Sequence, residues 1–209
     1  MNSSDRLAMR ERLVAQAMAL IERRGSMITM SDLAAETGMS RARLDELFPE
    51  GNDLFDAIVE QWYSHDIIVM EEVLASDLPI QRKFYEFFAK RFMRERQRHD
   101  EDPALFSLYV ELGTAHFEQV RGYIDLADHY LTELIAQAQD EGYFAGLTID
   151  RALSLINQMV VCYTSPQMLM LTRERLATDK LAAIIDTLFA GLSGENRGAL
   201  GVSDLRSAT

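Results

Sequence analysis

The sequence is poor in residues that interrupt helices and in residues that form disulfides. Its 209 residues include 4 prolines, 11 glycines and a single cysteine, Cys162. One cysteine cannot form an internal disulfide, which fits a reducing compartment. Basic residues are also in the minority, 21 against 33 acidic ones, so that the net charge is −12. This balance argues against general coating of nucleic acids or of anionic membranes.

Long apolar runs and targeting segments are missing as well. The N-terminal stretch MNSSDRLAMRERL carries charges throughout and does not resemble a signal peptide. The most apolar stretch, residues 152–172, contains Asn157, Gln158 and Pro166, so we interpret it as buried helix and not as a membrane span. We therefore expect a cytoplasmic protein that has no membrane partner.

Apolar residues make up 48% of the chain and recur at helical spacing, which predicts an all-α fold of about nine helices. The predicted helices cover about 6–24, 30–37, 41–48, 53–74, 80–97, 104–112 and 117–141, then one capped by Asp150 and bent at Pro166, and one over 179–192. We expect a helix-turn-helix domain over 1–52, which a helix from about 53 to 74 connects to a larger domain over 53–192. The tail, 193–209, lacks an apolar period and is predicted to be disordered.

Two of the short predicted helices, with the longer first helix before them, form a helix-turn-helix pattern. Thr29 with Asp32 three residues later is a capping box, which predicts where the second helix begins. Gly38 is suited to end that helix, and Ser40 to cap the third. This arrangement is typical of proteins that place a recognition helix in the major groove of DNA.

The residues around this pattern resemble the N-terminal domain of TetR-family transcriptional regulators over roughly the first 60 positions. The shared landmarks are Ala17, Gly25, Thr29, Leu33, Ala34, Gly38, Ser40, Leu44, Phe48 and Leu54. The second half is similar to the family only in outline, as a set of further helices. The resemblance implies a ligand-responsive regulator, in most cases a repressor, that binds a palindromic operator as a dimer.

The exposed side of the third helix is expected to contact DNA. Because Leu44, Leu47 and Phe48 define its core face, the residues between and before them point outward. The family's phosphate contacts also include the N-terminus of the second helix. The predicted DNA-contacting residues are Thr29, Ser31, Ser40, Arg41, Ala42, Arg43, Asp45 and Glu46. Arginine can donate to guanine or to phosphate, and a carboxylate can accept a hydrogen bond from cytosine N4.

The acidic residues of the third helix conflict with binding to a polyanion. Asp45 and Glu46 occupy positions where the family commonly has an aromatic residue followed by histidine or tyrosine, and Gly51 replaces a phosphate-binding lysine. The simpler interpretation, without any DNA contact, is that Arg41 and Arg43 are solvated surface residues paired with these carboxylates. We therefore keep a second hypothesis, in which a TetR-like fold has lost DNA binding and acts as a small-molecule-binding or protein-interaction module.

The second half of the chain is rich in aromatic and thioether side chains. With the resemblance, this predicts a pocket for a small apolar or amphipathic effector. The candidate ligand-binding residues are Phe88, Phe92, Tyr109, Tyr123, Met159 and Tyr163. For each of them, packing into the core is the simpler alternative. The last two apolar helices are expected to pair across a two-fold axis, which predicts a homodimer.

Catalytic and metal-binding motifs are absent from the sequence. Its histidines have no ligand partner at a recognised spacing, and no glycine-rich phosphate loop is present. Cys162 lies in a predicted buried helix, where nothing marks it as a nucleophile. We therefore expect no enzymatic activity, no cofactor and no metal.

Overall fold

The computed structural model describes residues 3–194, which form ten α-helices and one 3-10 helix without any strand. The helices are α1 (Ser3–Arg24), α2 (Met30–Thr37), α3 (Arg41–Leu47), α4 (Asp53–Ala75), α5 (Ile80–Glu101), α6 (Pro103–Ala115), α7 (Phe117–Asp140), α8 (Ile149–Thr164), α9 (Pro166–Thr172), the 3-10 helix Arg173–Arg175, and α10 (Thr178–Ser193). The all-α prediction is confirmed. Apart from its first two positions, the predicted disordered tail lies outside the described residues.

The described residues hold ten α-helices where the sequence predicts about nine, because the chain is divided at Pro166. A single bent helix is predicted there, whereas α8 ends at Thr164 and α9 begins separately. Ser165 ends the first of these helices and caps the second through its side chain. Proline lacks an N–H group and suits the first position of a helix, so it starts α9 and cannot continue α8.

Two other helix boundaries differ from the prediction because of capping. Thr148, and not Asp150, caps α8, since its hydroxyl accepts a hydrogen bond from a first-turn backbone N–H. At the end of α5, the helix continues to Glu101 instead of stopping near residue 97. The polar side chains after residue 97 do not interrupt the backbone hydrogen bonds of α5. The helix ends only where Asp102 caps α6 and Pro103 begins it.

The chain forms two compact units. Among the described residues, the first consists of residues 3–65 and 98–125, and the second of residues 66–97 and 126–194. The first unit therefore holds α1–α3 with parts of α4, α5 and α7 and all of α6. A linear boundary near residue 52 differs from this division, since α4, α5 and α7 each contribute residues to both units.

The core of the first unit fixes the three N-terminal helices against one another. Leu13 of α1, Leu33 of α2 and Leu44 of α3 are fully buried, and Leu47 and Phe48 are almost so. Further apolar residues of α6 pack against the same cluster, namely Leu108, Tyr109 and Leu112. Because this cluster includes the inner face of α3, it determines which side chains of α3 point outward.

The core of the second unit is built around aromatic rings. Phe84 of α5 meets the Phe189 ring of α10 edge-on with centroids 5.0 Å apart. Phe144, from the turn after α7, lies edge-on to Phe84 at 6.0 Å and 4.8 Å from Phe189. All three rings are buried. Edge-to-face contacts add to the stabilisation that comes from burying apolar area.

Replacing Phe84 by alanine should destabilise the second unit strongly. The ring is fully buried, and truncation of such a side chain costs about 3–5 kcal/mol from lost transfer free energy and the remaining cavity. Phe117→Ala is the matched control, since that ring is 50% exposed and its loss should change stability by no more than about 0.5 kcal/mol. Urea unfolding monitored by circular dichroism measures both; equal effects of the two substitutions would contradict the assigned core.

Candidate nucleic-acid interface

The N-terminus of α2 is held by a complete capping box. The Thr29 hydroxyl accepts from the Asp32 backbone N–H at 3.2 Å, and the Asp32 carboxylate accepts from the Thr29 backbone N–H at 2.8 Å. Arg24 of α1 forms an ion pair with the same carboxylate. The hydrogen bonds from Thr29 and then the one from Arg24 hold the pKa of Asp32 well below its usual range. The charged carboxylate thus joins the start of α2 to the end of α1.

The turn between α2 and α3 follows from two residues. Gly38 has a left-handed backbone (φ 68°), and its N–H donates to the Ala34 carbonyl oxygen, which ends α2. Ser40 then starts α3, since its hydroxyl accepts from the backbone N–H of Arg43 at 3.3 Å. Because both signals are local, the sequence alone predicts this turn correctly.

The eight residues predicted to contact DNA lie on the outer side of α2 and α3. Seven of them are exposed, and Arg43 is half-buried. Thr29 and Arg41 line one open cleft of about 290 Å³, together with Met27, Ile28, Met30, Gly51, Leu54 and Phe55. The beginnings of α2 and α3 therefore lie side by side. Donor groups of both helices are accessible to a ligand at this surface.

Both arginines of α3 form ion pairs with carboxylates of the same helix. Arg41 Nε donates to Asp45 Oδ1 at 2.7 Å, and Arg43 Nη1 donates to Glu46 Oε2 at 2.5 Å. The side chains involved are 41–64% exposed, and pairs in such positions contribute at most about 1 kcal/mol each. Solvent and a competing ligand can therefore both reach these guanidinium groups.

Two arginines of α1 hold the C-terminal end of α3 through its backbone, a role that the sequence does not predict. Arg6 donates to the backbone oxygen of Glu46 at 2.7 Å, and Arg10 donates to that of Leu47 at 3.0 Å. The Arg10 guanidinium also lies 4.9 Å from the centre of the Phe48 ring. These partners are backbone oxygens about 40 positions away, and no sequence pattern marks such a contact. Both arginines supply donors to the otherwise unsatisfied carbonyls at the end of α3.

Gly51, where a phosphate-binding lysine is expected from the resemblance, is not required by the backbone. Its φ is outside the left-handed region, and a Cβ placed on it would meet no atom within 4 Å. A side chain at this position would thus not be blocked at its first carbon. The missing positive charge is a property of this sequence and not a consequence of crowding.

The six predicted effector residues are divided between the two units. Phe88, Phe92, Met159 and Tyr163 belong to the second unit, whereas Tyr109 and Tyr123 belong to the first. Within the second unit, the Tyr163 ring meets Phe92 edge-on at 5.0 Å. The two phenylalanines are 1% exposed and part of the core, but Met159 is 48% exposed on α8.

In the first unit, the two predicted tyrosines stack on residues of α4. Tyr123 lies on Tyr63 with ring centroids 3.8 Å apart, and Tyr109 lies on Trp62 at 4.1 Å. Arg98 covers the Trp62 ring at 4.2 Å. Among the described residues, the buried Tyr109 hydroxyl has no hydrogen-bond partner. Burial raises the pKa of Tyr109 far above its usual value, so this hydroxyl stays protonated and can donate.

Other kinds of site are not apparent in residues 3–194. No group of three histidine, cysteine, aspartate or glutamate side chains there is arranged to hold a metal ion. None of the helices in this part of the chain has both the length and the apolar character needed to cross a membrane.

Comparison with known proteins gives one family and several structural relatives. Residues 81–185, half of the chain, match the family model of the tetracyclin repressor-like C-terminal domain. A protein of Mesorhizobium loti MAFF303099 named for the TetR family of transcriptional regulators is similar in structure, with a TM-score of 0.56 and 16% identity over 92% of this chain and 97% of that one. The hemolysin II transcriptional regulator HlyIIR gives a TM-score of 0.45 and 16% identity over 88% and 98%. No curated protein matches the chain significantly in sequence.

Replacing Asp32 by asparagine should lower the unfolding midpoint at neutral pH and change its pH dependence. Because the folded pKa of Asp32 is depressed, the stabilisation from its charge is present above the unfolded pKa of about 4 and is lost as the pH falls below it. The difference between the parent and D32N in thermal unfolding should therefore shrink from pH 6 to pH 3. The matched control is Glu36→Gln, which removes an exposed carboxylate of α2 that pairs with Arg23 but does not cap the helix. A difference between the parent and D32N that stays constant over this range would contradict the assignment.

Proposed function

The chain belongs to the TetR family of transcriptional regulators, and on this basis we propose that it is a ligand-responsive repressor that binds a palindromic operator as a homodimer. We further infer a cytoplasmic location, no enzymatic activity and no cofactor, as is usual for such a regulator. The identified family domain lies in the C-terminal half, whereas the resemblance found in the sequence lies in the first 60 residues. The two indications cover different parts of the chain and agree.

One observation carries the proposal for DNA binding. Ser40, Arg41, Ala42 and Arg43 stand at the accessible start of a helix whose opposite face is buried, and Thr29 lies beside them at the start of α2. This is the arrangement in which a helix-turn-helix presents donors to base edges and to phosphates. The proposed contacts are the eight residues named above, with Ser31, Asp45 and Glu46 completing the set.

The homodimer is proposed from the C-terminal helices. Val161 and Met159 leave apolar side chains 45% and 48% exposed on α8, and α8 is in contact with α10 within the second unit. Pairing of two such helices with those of a second copy would cover this apolar surface. A two-fold dimer would also present two recognition helices to the two halves of a palindrome.

The effector is proposed to be a small apolar or amphipathic molecule. Phe88, Phe92, Met159 and Tyr163 are the candidates in the second unit. Tyr109 and Tyr123 are those in the first, where the Tyr109 hydroxyl is a buried donor. Binding that favours one conformation of the dimer would change operator affinity by about 1–3 kcal/mol, which is roughly 5- to 150-fold.

A second candidate function is a module that binds small molecules or proteins but not DNA. The observation that favours it is the pairing of both α3 arginines with carboxylates, combined with the absence of a lysine at Gly51. In a chain of net charge −12, these features weaken every phosphate contact. DNA titrations separate this module from the repressor.

Replacing Arg41 and Arg43 together by alanine should weaken specific DNA binding by roughly tenfold or more, because a bidentate arginine contact contributes about 1–3 kcal/mol. The measurement is fluorescence anisotropy with the intergenic DNA beside the protein's own gene, at two salt concentrations, with an unrelated duplex for comparison. Arg121→Ala is the matched control, since Arg121 is 53% exposed and also pairs with a carboxylate of its own helix, Glu118, at 2.7 Å.

Binding that is the same for R41A/R43A as for the parent would refute the role of these arginines. If the parent binds neither the intergenic DNA nor any duplex selected from a randomised pool, the module without DNA binding is the correct function.

The protein should sediment as a dimer at micromolar concentration. Val161→Glu, which places a charge on the apolar surface of α8, should shift it to the monomer because an unpaired charge would be buried on association. Met93→Glu is the control, since Met93 is similarly exposed, at 47%, but belongs to α5 and not to the helices of the proposed interface. A parent protein that sediments as a monomer, or a V161E dimer as stable as the parent, would overturn the proposed interface.

A further inference from the structure

The exposed side of α3 carries a donor and an acceptor held side by side. Arg41 uses Nε to donate to Asp45 Oδ1 at 2.7 Å, and both side chains are about half exposed, 55% and 49%. A guanidinium has five N–H groups, so this bond leaves the four on its two Nη atoms for an acceptor. The carboxylate, in turn, retains lone pairs for a further donor.

This arrangement matches one base pair of the major groove. Guanine presents two acceptors there, N7 and O6, whereas its partner cytosine presents the N4 amino group as a donor. An arginine–carboxylate pair offers the complementary set, two or more donors beside an acceptor. An A·T pair has no two adjacent acceptors, because the N6 donor of adenine lies between adenine N7 and thymine O4, so it cannot accept both free Nη donors of Arg41 side by side.

The carboxylate of Asp45 makes the paired Arg41 a weaker ligand for phosphate than an unpaired arginine would be. An anion that approaches this guanidinium also approaches the carboxylate of Asp45, and the two negative charges repel each other. The guanine acceptors carry no net charge and avoid this cost. Arg43 and Glu46 form a second pair of the same chemistry two positions further along α3.

We propose that Asp45 is a specificity-determining residue that, together with Arg41, reads a G·C base pair in the major groove. This inference rests on the proposed DNA-binding function. The proposed role explains why a DNA-binding protein would carry carboxylates on its recognition helix. They lower affinity for phosphates in general, and they make the remaining affinity depend on the base pair that is present.

The test compares binding of the full-length parent, Asp45→Ala and Asp45→Asn to the tightest duplex selected from a randomised pool and to a scrambled duplex. For D45A the ratio of the two affinities should fall by roughly 5- to 150-fold, a loss comparable to that of one good bidentate contact, because this variant loses the acceptor for cytosine N4 and the bond that orients Arg41. D45N keeps an acceptor oxygen and should retain more of this ratio than D45A. Glu118→Ala removes the same charge from an exposed ion pair on α7 and should leave the ratio unchanged.

A second measurement identifies the base pair. Each guanine of the selected duplex is replaced in turn by 7-deazaguanine, which lacks the N7 acceptor. One replacement should weaken binding by the parent several-fold, yet have less effect on R41A, which lacks the donors to that guanine, and on D45A, which lacks the carboxylate that orients the Arg41 guanidinium.

Three outcomes are distinguishable. If D45A binds both duplexes more tightly by the same factor, the carboxylate only repels phosphates and the inference is wrong, although the proposed function stands. The inference is also wrong if no guanine replacement affects the parent more than D45A. If the parent shows no preference for any selected duplex, the proposed function fails and this inference fails with it.

Discussion

Burial of the inner face of α3 is the constraint on which the rest of the candidate interface depends. Leu44 is fully buried, and Leu47 and Phe48 are nearly so. Since a helix has one turn per 3.6 residues, fixing these positions leaves Arg41, Ala42 and the acidic residues no place but the surface. Arg6 and Arg10 then hold the far end of α3 through its carbonyl oxygens. The chemistry of the surface is thus set by the packing beneath it.

The charges of this surface do not attract DNA in general, unlike the excess of positive charge on a protein that binds DNA without regard to sequence. Arg41 and Arg43 are each balanced by a carboxylate on α3, so the helix brings almost no net charge to a phosphate backbone. Non-specific affinity rises with the number of phosphates neutralised and falls with salt. A helix of this kind would therefore depend on contacts to base edges. The same feature that favours a module without DNA binding is, in a DNA reader, a source of selectivity.

The sequence predicts the local features of this fold well and the distant ones poorly. Thr29, Gly38 and Ser40 act on backbone groups within four residues, so their caps could be predicted from spacing alone. The sequence does not determine whether the chain is bent or divided at Pro166, because a proline is compatible with both a bend and a new helix start. The grouping of Tyr109 and Tyr123 apart from Phe88 and Phe92 depends on contacts between distant helices. Apolar periodicity identifies a buried face but not the helix that covers it.

The order of charges along α3 bears on the choice between the two candidate functions. Carboxylates stabilise the first turn of a helix and arginines the last, and an acidic residue placed N-terminal to its basic partner is the better arrangement. In α3 both pairs have the reverse order, with Arg41 and Arg43 preceding Asp45 and Glu46. Helix stability alone therefore accounts for the pairing but not for its direction. Arg41, at the start of this helix, lies at the open cleft that the N-terminus of α2 also lines, where a base edge or a phosphate would be met, and this placement favours the DNA-binding function.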